Sequence, residues 1–262
     1  MKSHSLFVRD GDTVCPTEHA TSPWNTATQA GGAPAALLAQ LVDEQADPGL
    51  RTARATVDIL GPIPMAPGQV RIEPVRRGRA TELVDAALEI DGRDVLRIGV
   101  WRVAATPTLP DRPATPPDPP PPSPGGLPDH TPPMAFFGTS GYVPAMQWRM
   151  AYGGFDVPGP GAAWSRPRHP LLPGTSTPSM ARLILAAATA NGLSGVLDHR
   201  RFLSIDVDIT VHLERDLRGS WLCTDAVTHL DPGQAGHVTA TFHDQHGRVG
   251  RATQTLLVAP RA

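Results

Sequence analysis

Hydrophobic and polar positions along the chain first predict two helices. The stronger one covers residues 177–198, where Thr177 and Pro178 suit a helix start and an apolar, alanine-rich run follows. A helix with so few polar residues is not a surface helix, and we expect it to pack closely on a curved sheet. Residues 33–46 predict the other helix, with a leucine-rich stripe opposite a polar face.

Strand-like alternation follows each predicted helix. In the first half it predicts strands at residues 53–60, 70–76, 79–90 and 95–103, the last two joined by the turn Asp91-Gly92-Arg93. In the second half it predicts strands at residues 202–214, 221–230, 237–243 and 249–258. Shorter strands are expected within residues 5–15 and at 162–168.

In the 202–214 strand, alternation places Ile205, Val207, Ile209, Val211 and Leu213 on one face, and Asp206, Asp208, Thr210 and His212 on the other.

The two halves repeat one another in order. The segment ATVDILGPIPMAPG corresponds to IDVDITVHLERDLRG, and LEIDGRDVLRIGVWRV corresponds to TFHDQHGRVGRATQTLLV. A helix wrapped by an antiparallel meander is the hotdog arrangement. The sequence therefore predicts an α+β double hotdog, with two antiparallel sheets that each wrap a long central helix.

Residues 107–133 separate the repeats and are nearly half proline. Proline lacks the backbone N–H that helices and sheet interiors need, so we expect an extended linker here. The predicted organisation is an N-terminal hotdog at 1–106, the linker at 107–133 and a C-terminal hotdog at 134–262.

The composition argues against several classes of partner and site. The 262 residues carry a formal net charge of -2 without a basic stripe, which argues against nucleic acid as a partner. The two cysteines, Cys15 and Cys223, are far apart, so we expect neither a disulfide framework nor a metal site. No apolar run approaches the ~18 residues of a membrane span. We expect a cytoplasmic protein without a cofactor or a membrane partner.

Five segments, taken in order, resemble the thioesterase-like branch of the acyl-CoA thioesterase II family. They are PW…QAGGAPAALLAQL, GGFDVPGPGAAW, ANGLSGVLD, DITVHLERDLRGSW and GRVGRATQTLLV. The resemblance covers both halves and implies a double hotdog fold, often further oligomerised, so a homo-oligomer is expected. It also implies that the ligand is an acyl thioester of coenzyme A or of a carrier protein, with the acyl chain between the halves near the helix N-termini.

The resemblance also locates departures from the family pattern. Ala30 stands where the family usually has a histidine, and Ala188 stands where it usually has an aspartate. Gln254 matches the family's glutamine on the last strand. Asp206 falls at the family's Ser/Thr/Asn position, with a possible slip to Ser204 or Asp208.

These matches make Asp206 and Gln254 the candidate catalytic residues, as acceptors that orient water for thioester hydrolysis. A polar solvated face and a core amide are the structural alternatives for the two. Gly31 and Gly32 are candidates for binding the thioester through free backbone N–H groups, or form a simple tight turn. Further candidates for binding substrate are Trp24, Asn191 and His19, with core packing, helix capping and a lone loop histidine as their alternatives.

Three functions remain open on the sequence. The first is a thioesterase-like enzyme that acts on an acyl or polyketide thioester, with its hydrolytic residues partly lost. The second is a repurposed, non-hydrolytic enzyme of secondary metabolism, such as a cyclase, isomerase or dehydratase. The third is a non-catalytic protein that binds an acyl or polyketide-like small molecule.

Overall fold

In the N-terminal half, the alternating segments form strands and the leucine-rich stretch forms a helix. The computed structural model describes residues 4–105, 121, 123–130 and 141–261. The elements of this half are β1 (Phe7–Asp10), β2 (Thr13–Pro16), α1 (Gly32–Asp43), β3 (Leu50–Ile59), β4 (Gly68–Arg77), β5 (Thr81–Ile90) and β6 (Arg93–Ala104).

The C-terminal half repeats this plan. Its elements are β7 (Met146–Gly154), β8 (Val157–Pro167), α2 (Ser179–Ala187), α3 (Ala190–Leu193), β9 (Phe202–Leu213), β10 (Leu222–His229), β11 (Gly236–Asp244) and β12 (Gly247–Pro260). The four predicted strands after each helix are confirmed, but the predicted four-strand meander is wrong. Strand β3 pairs with β6 rather than with β4, and β9 pairs with β12 rather than with β10, so only the last three strands of each set form a meander. Strand β7 was not predicted, because MQWRMAYGG shows no clean alternation.

The expectation of two separate sheets is wrong. The twelve strands of the described residues form one antiparallel sheet in the order β1-β2-β4-β5-β6-β3-β9-β12-β11-β10-β8-β7. The halves join where β3 pairs with β9, from Arg54 opposite His212 to Asp58 opposite Asp208. Each half would otherwise present unpaired backbone groups along this edge, so pairing the two edges satisfies both.

The two longer helices, α1 and α2, contact each other and lie against this sheet. Every residue of α1 from Gly32 to Val42 is buried. Such burial explains why this helix carries almost no polar residues until its last turn.

The long second helix predicted for residues 177–198 is shorter in the structure. It begins at Ser179 with Pro178 in the N-cap position, so Thr177 is not the cap. It ends after Ala187, and the short α3 resumes the helical path at Ala190. This interruption, which we call the helix break, comprises Ala188 and Thr189.

Most of the predicted linker at 107–133 lies outside the described residues, so the linker and the domain boundaries remain predictions. The described part near its end packs on β7. Arg149 donates from Nη1 to the carbonyl of Pro124 at 2.7 Å and forms an ion pair with Asp129 at 2.8 Å.

Candidate functional site

A cavity of about 800 Å³ lies where the start of α1 meets the helix break and the first half of β9. Its wall includes Gly31 and Gly32 from α1, Ala188 from the break and Asp206 from β9. The same wall contains apolar side chains from both halves, among them Ile59 and Phe155. The cavity therefore combines a mostly apolar lining with a few polar groups, which is typical of small-molecule sites.

A β-bulge turns Asp206 into this cavity. Leu256 of β12 pairs with Asp206 while the preceding Thr255 pairs with Asp208, so Val207 is an extra residue in β9. The predicted alternation is therefore wrong at this point: Asp206 is buried together with Ile209, and Val207 is 40% exposed. Bulges commonly redirect a side chain beside a functional site.

The surroundings of Asp206 favour its protonated form. The residue is 9% exposed, and its Oδ1 has no hydrogen-bond partner among the described residues. Burial raises the pKa of this carboxyl well above the ordinary aspartate value, and the nearby charge of Asp208 raises it further.

Tyr142 is a cavity residue that sequence reasoning missed. Its side chain is 2% exposed, and its hydroxyl donates a hydrogen bond to the carbonyl of Leu185 in α2. Burial raises the pKa of Tyr142, and the charge of Asp206 does so as well, which places the two groups in one electrostatic environment. No motif surrounds Tyr142, so only the fold identifies it.

Side chains satisfy the carbonyl groups left open near the helix break. Besides Tyr142 on Leu185, Thr189 donates from Oγ1 to the carbonyl of Ala186 at 2.7 Å. Gln254 donates from Nε2 to the carbonyl of Ala187 at 3.0 Å. Without the bonds from Tyr142 and Gln254, the buried carbonyls of Leu185 and Ala187 would lack these partners, whereas the carbonyl of Ala186 also accepts the backbone N–H of Thr189 at 3.1 Å.

Gln254 therefore lies against the helix break rather than in the cavity lining. Its side chain is 2% exposed, and its Oε1 has no partner among the residues that the structure describes. The Gln254 side chain is therefore fixed through Nε2, and its Oε1 remains a hydrogen-bond acceptor without a described partner. The bond to Ala187 places this side chain beside the residue that precedes Ala188.

Gly31 and Gly32 bring the start of α1 to the cavity, with Gly31 at the N-cap. A side chain on Gly32 would overlap the Cβ of Ala188, so the helix start and the helix break touch directly. Ala30 and Ala188, the two positions at which the sequence departs from the expected pattern, both line the cavity.

The structure brings two of the other predicted binding residues to the cavity and leaves the third away from it. Trp24 lines the wall, with the guanidinium of Arg261 5.9 Å from its ring centre. Asn191 also lines it and donates from Nδ2 to the carbonyl of Ser204 at 3.1 Å. His19 is not part of the lining and stacks on His169, with ring centres 4.1 Å apart.

The structure tests the alternative positions for Asp206. Ser204 lines the cavity, whereas Asp208 does not. The Oδ1 of Asp208 instead accepts a hydrogen bond from the backbone N–H of Thr255 at 2.8 Å. Among the aspartates in the lining, Asp156 and Asp198 are exposed to solvent, so Asp206 is the buried carboxyl of the site.

Burial of Asp206 should make stability depend on pH. As the pH rises above about 3.9, the unfolded chain releases this proton while the folded protein keeps it, which favours unfolding. We expect Asp206→Asn to be more stable than wild type at pH 8, by about 1.4 kcal/mol for each unit of raised pKa, and the gain to vanish near pH 4. Chemical denaturation across this range measures it, and a gain independent of pH would contradict the assignment.

Two further observations concern metal ions and membranes. No group of three or more His, Cys, Asp or Glu side chains in the described ranges is arranged to hold a metal ion. Within those ranges, no helix has the length and apolar character needed to cross a membrane.

Comparison with known proteins agrees with this architecture. Residues 20–103 match the family model of the acyl-CoA thioesterase N-terminal domain, and residues 110–258 match that of the acyl-CoA thioesterase C-terminal domain. A search of curated proteins gives no significant match.

Solved structures show the same fold at low identity. A hot dog fold protein of unknown function from Alicyclobacillus acidocaldarius is 18% identical, covers 99% of this chain and 97% of its own, and has a TM-score of 0.72. The tesB protein of Mycobacterium avium subs paratuberculosis is 16% identical over 97% and 96% of the two chains, with a TM-score of 0.71. Acyl-CoA thioesterase II TesB2 from Mycobacterium marinum is 17% identical over 97% and 95%, with a TM-score of 0.68. The continuous sheet, the paired helices and the two matched domains show that this chain belongs to the acyl-CoA thioesterase family and has its double hotdog fold.

Proposed function

We propose that this protein hydrolyses an acyl thioester of coenzyme A or of a carrier protein, with the reacting carbonyl beside Asp206. The observation that carries the proposal is the Asp206 carboxyl, which the bulge at Val207 turns into the cavity with an Oδ1 that has no partner among the described residues. An acceptor of this kind is what water activation requires.

In the proposed reaction, the ionised Asp206 carboxylate accepts a proton from water as the water oxygen attacks the thioester carbonyl carbon. A carbon–oxygen bond forms, and the carbonyl oxygen becomes an oxyanion. When the carbonyl re-forms, the carbon–sulfur bond breaks and the proton on Asp206 passes to the leaving sulfur. The products are a carboxylic acid and a thiol, and Asp206 is ionised again.

The start of α1 supports the charged intermediate in this scheme. Gly31 and Gly32 lie in the cavity wall without side chains that would cover the backbone. The first N–H groups of a helix lack intrahelical partners, and donors preorganised in this way stabilise an oxyanion.

Gln254 has a positioning role in the proposal. Its Nε2 bond to Ala187 holds the helix break, and its Oε1, which has no partner in the described part of the chain, is available to orient water or the Asp206 carboxyl. In this proposal Gln254 contributes to catalysis through the groups that it positions, although it does not line the cavity.

Release of thiol from medium and long acyl-CoAs and from acyl-pantetheines tests the function. Because the ionised form of Asp206 is the base and its pKa is raised, kcat/KM should increase with pH through a pKa above about 3.9. Asp208→Asn removes the charge that contributes to this shift, and should retain turnover with a profile displaced to lower pH. Absence of thiol release from every substrate would refute hydrolysis.

The same burial supports a second candidate function. The protonated form of Asp206 is a proton donor inside an apolar cavity, which suits isomerisation, dehydration or cyclisation of a polyketide-like thioester. Mass spectrometry of the recovered substrate distinguishes the two, because these reactions alter the acyl chain and leave the thioester intact. Tight binding without any turnover would instead indicate an acyl-binding protein.

A further inference from the structure

One hydroxyl group in the cavity wall is hydrogen-bonded to a second hydroxyl that is buried behind it. Thr228 on β10 lines the cavity, and Ser194, directly after α3, is fully buried. The Oγ of Ser194 is 2.8 Å from the carbonyl oxygen of Ala190 and 2.8 Å from Oγ1 of Thr228. Neither threonine nor serine takes part in the hydrolysis proposed above.

The number of protons fixes the direction of these two hydrogen bonds. Ser194 has one hydroxyl proton but two close oxygen neighbours, and the carbonyl of Ala190 has no proton to give. Ser194 must therefore donate to Ala190, and Thr228 must donate to Ser194. The hydroxyl of Thr228 then has no proton for a ligand and can act toward it only as an acceptor.

Thr189 in the helix break shows the same arrangement. It is 4% exposed, lines the cavity and donates its hydroxyl proton to the carbonyl of Ala186 at 2.7 Å. Two threonine hydroxyls in one cavity wall thus have their protons committed to the protein. A ligand that complements these acceptors must itself supply a donor.

The sheet separates the Thr228 acceptor from the reacting end of the cavity. Thr228 pairs with Val238, Val238 with Gln254, and Gln254 with Ile209 on the strand that carries Asp206. Three strand spacings correspond to about 14 Å across the sheet. A donor that meets Thr228 therefore lies well along the chain, away from the thioester carbonyl.

We propose that the cavity selects an acyl chain bearing a hydroxyl group along its length, whose proton is accepted by Oγ1 of Thr228. The inference rests on the proposed function only for the acyl nature of the ligand. It assigns the substrate class as a hydroxylated chain, and makes Thr228 the residue that distinguishes this chain from a plain hydrocarbon.

Binding of free fatty acids tests this without any turnover. The probes are dodecanoic acid and its derivatives hydroxylated at successive positions from carbon 7 to carbon 12, titrated calorimetrically into the full-length protein. We expect the best hydroxylated acid to bind about tenfold more tightly than dodecanoic acid, as one additional neutral hydrogen bond implies. Thr228→Val should bring this ratio close to one, and Thr228→Ser should keep it, because serine retains the hydroxyl.

Ser194→Ala tests the proton assignment itself. Without Ser194, the hydroxyl proton of Thr228 becomes available to a ligand. A dodecanoic acid with a ketone at the preferred position should then gain about tenfold in affinity over its wild-type value. No gain for the ketone would overturn the assignment and the proposal with it.

The binding experiments on the Thr228 subsite can fail or succeed independently of the test for thioester hydrolysis. Equal binding of plain and hydroxylated acids, a preference unchanged by Thr228→Val, or failure of every acid to bind would each overturn the subsite. Thiol release from dodecanoyl-CoA is measured on the same preparations. A hydroxyl preference without thiol release would leave the subsite standing and remove hydrolysis, and thiol release without a preference would do the reverse.

Discussion

Asp206→Asn should lower kcat for thioester hydrolysis by about two to four orders of magnitude, the contribution typical of a general base. Asparagine keeps the size of the side chain and removes the group that accepts a proton from water. Because the carboxyl is buried with its pKa raised, its neutral amide should be well tolerated by the fold. Thiol release under single-turnover conditions measures the loss.

Asp208→Asn is the matched control for this experiment. It removes a carboxylate two residues away on the same strand that does not line the cavity. The loss should be confined to Asp206→Asn, and KM should change less than kcat if the carboxyl acts in the chemical step. A wild-type rate in Asp206→Asn would assign water activation to another group and end this mechanism.

Gly32→Ala should have the largest effect on stability among single methyl additions at the site. The new Cβ would overlap the Cβ of Ala188 and come within 3.1 Å of the Tyr142 hydroxyl. Overpacking of this kind costs about 1–3 kcal/mol, which lowers the melting temperature of a chain of this size by roughly 5 °C. Activity should fall too, since α1 must move away from the helix break. Thermal melts and thiol release report both.

Two variants control for this effect. Gly31→Ala places its methyl 2.6 Å from Cδ1 of Ile59, the far end of a flexible side chain, so it should be mild. Adding Ala188→Gly to Gly32→Ala removes the atom that is struck and should restore much of the lost stability. A double-mutant cycle measures this coupling, and strict additivity would show that the two positions do not interact.

Local patterns in the sequence predicted most of the elements. Both helices and the four strands after each of them follow from periodicity, because each depends mainly on which side chains face the core. The hairpin at Asp91-Gly92 follows from turn chemistry, and Asp91 indeed has a positive φ of 53°. The joining of two sheets into one did not follow, because pairing between β3 and β9 depends on which edges the finished halves present.

The candidate site was predictable only in part. Asp206 and Gln254 came from the family resemblance, and strand periodicity alone assigned Asp206 to the outer face. The bulge at Val207 reverses that assignment, and it is visible only in the pairing of β9 with β12. Tyr142 and the hydroxyl pair of Ser194 and Thr228 carry no local signal, since their roles depend on partners 43 and 34 residues away.

The ladder between β3 and β9 has a consequence for folding. Either half alone would lack a partner for five paired positions and would lose the contact between α1 and α2. Contacts this remote in sequence form late, after most of the loop-closure entropy has been lost. We therefore expect the duplicated halves to unfold as one cooperative unit, so that a destabilising substitution in either repeat weakens the whole protein, including the cavity shared between them.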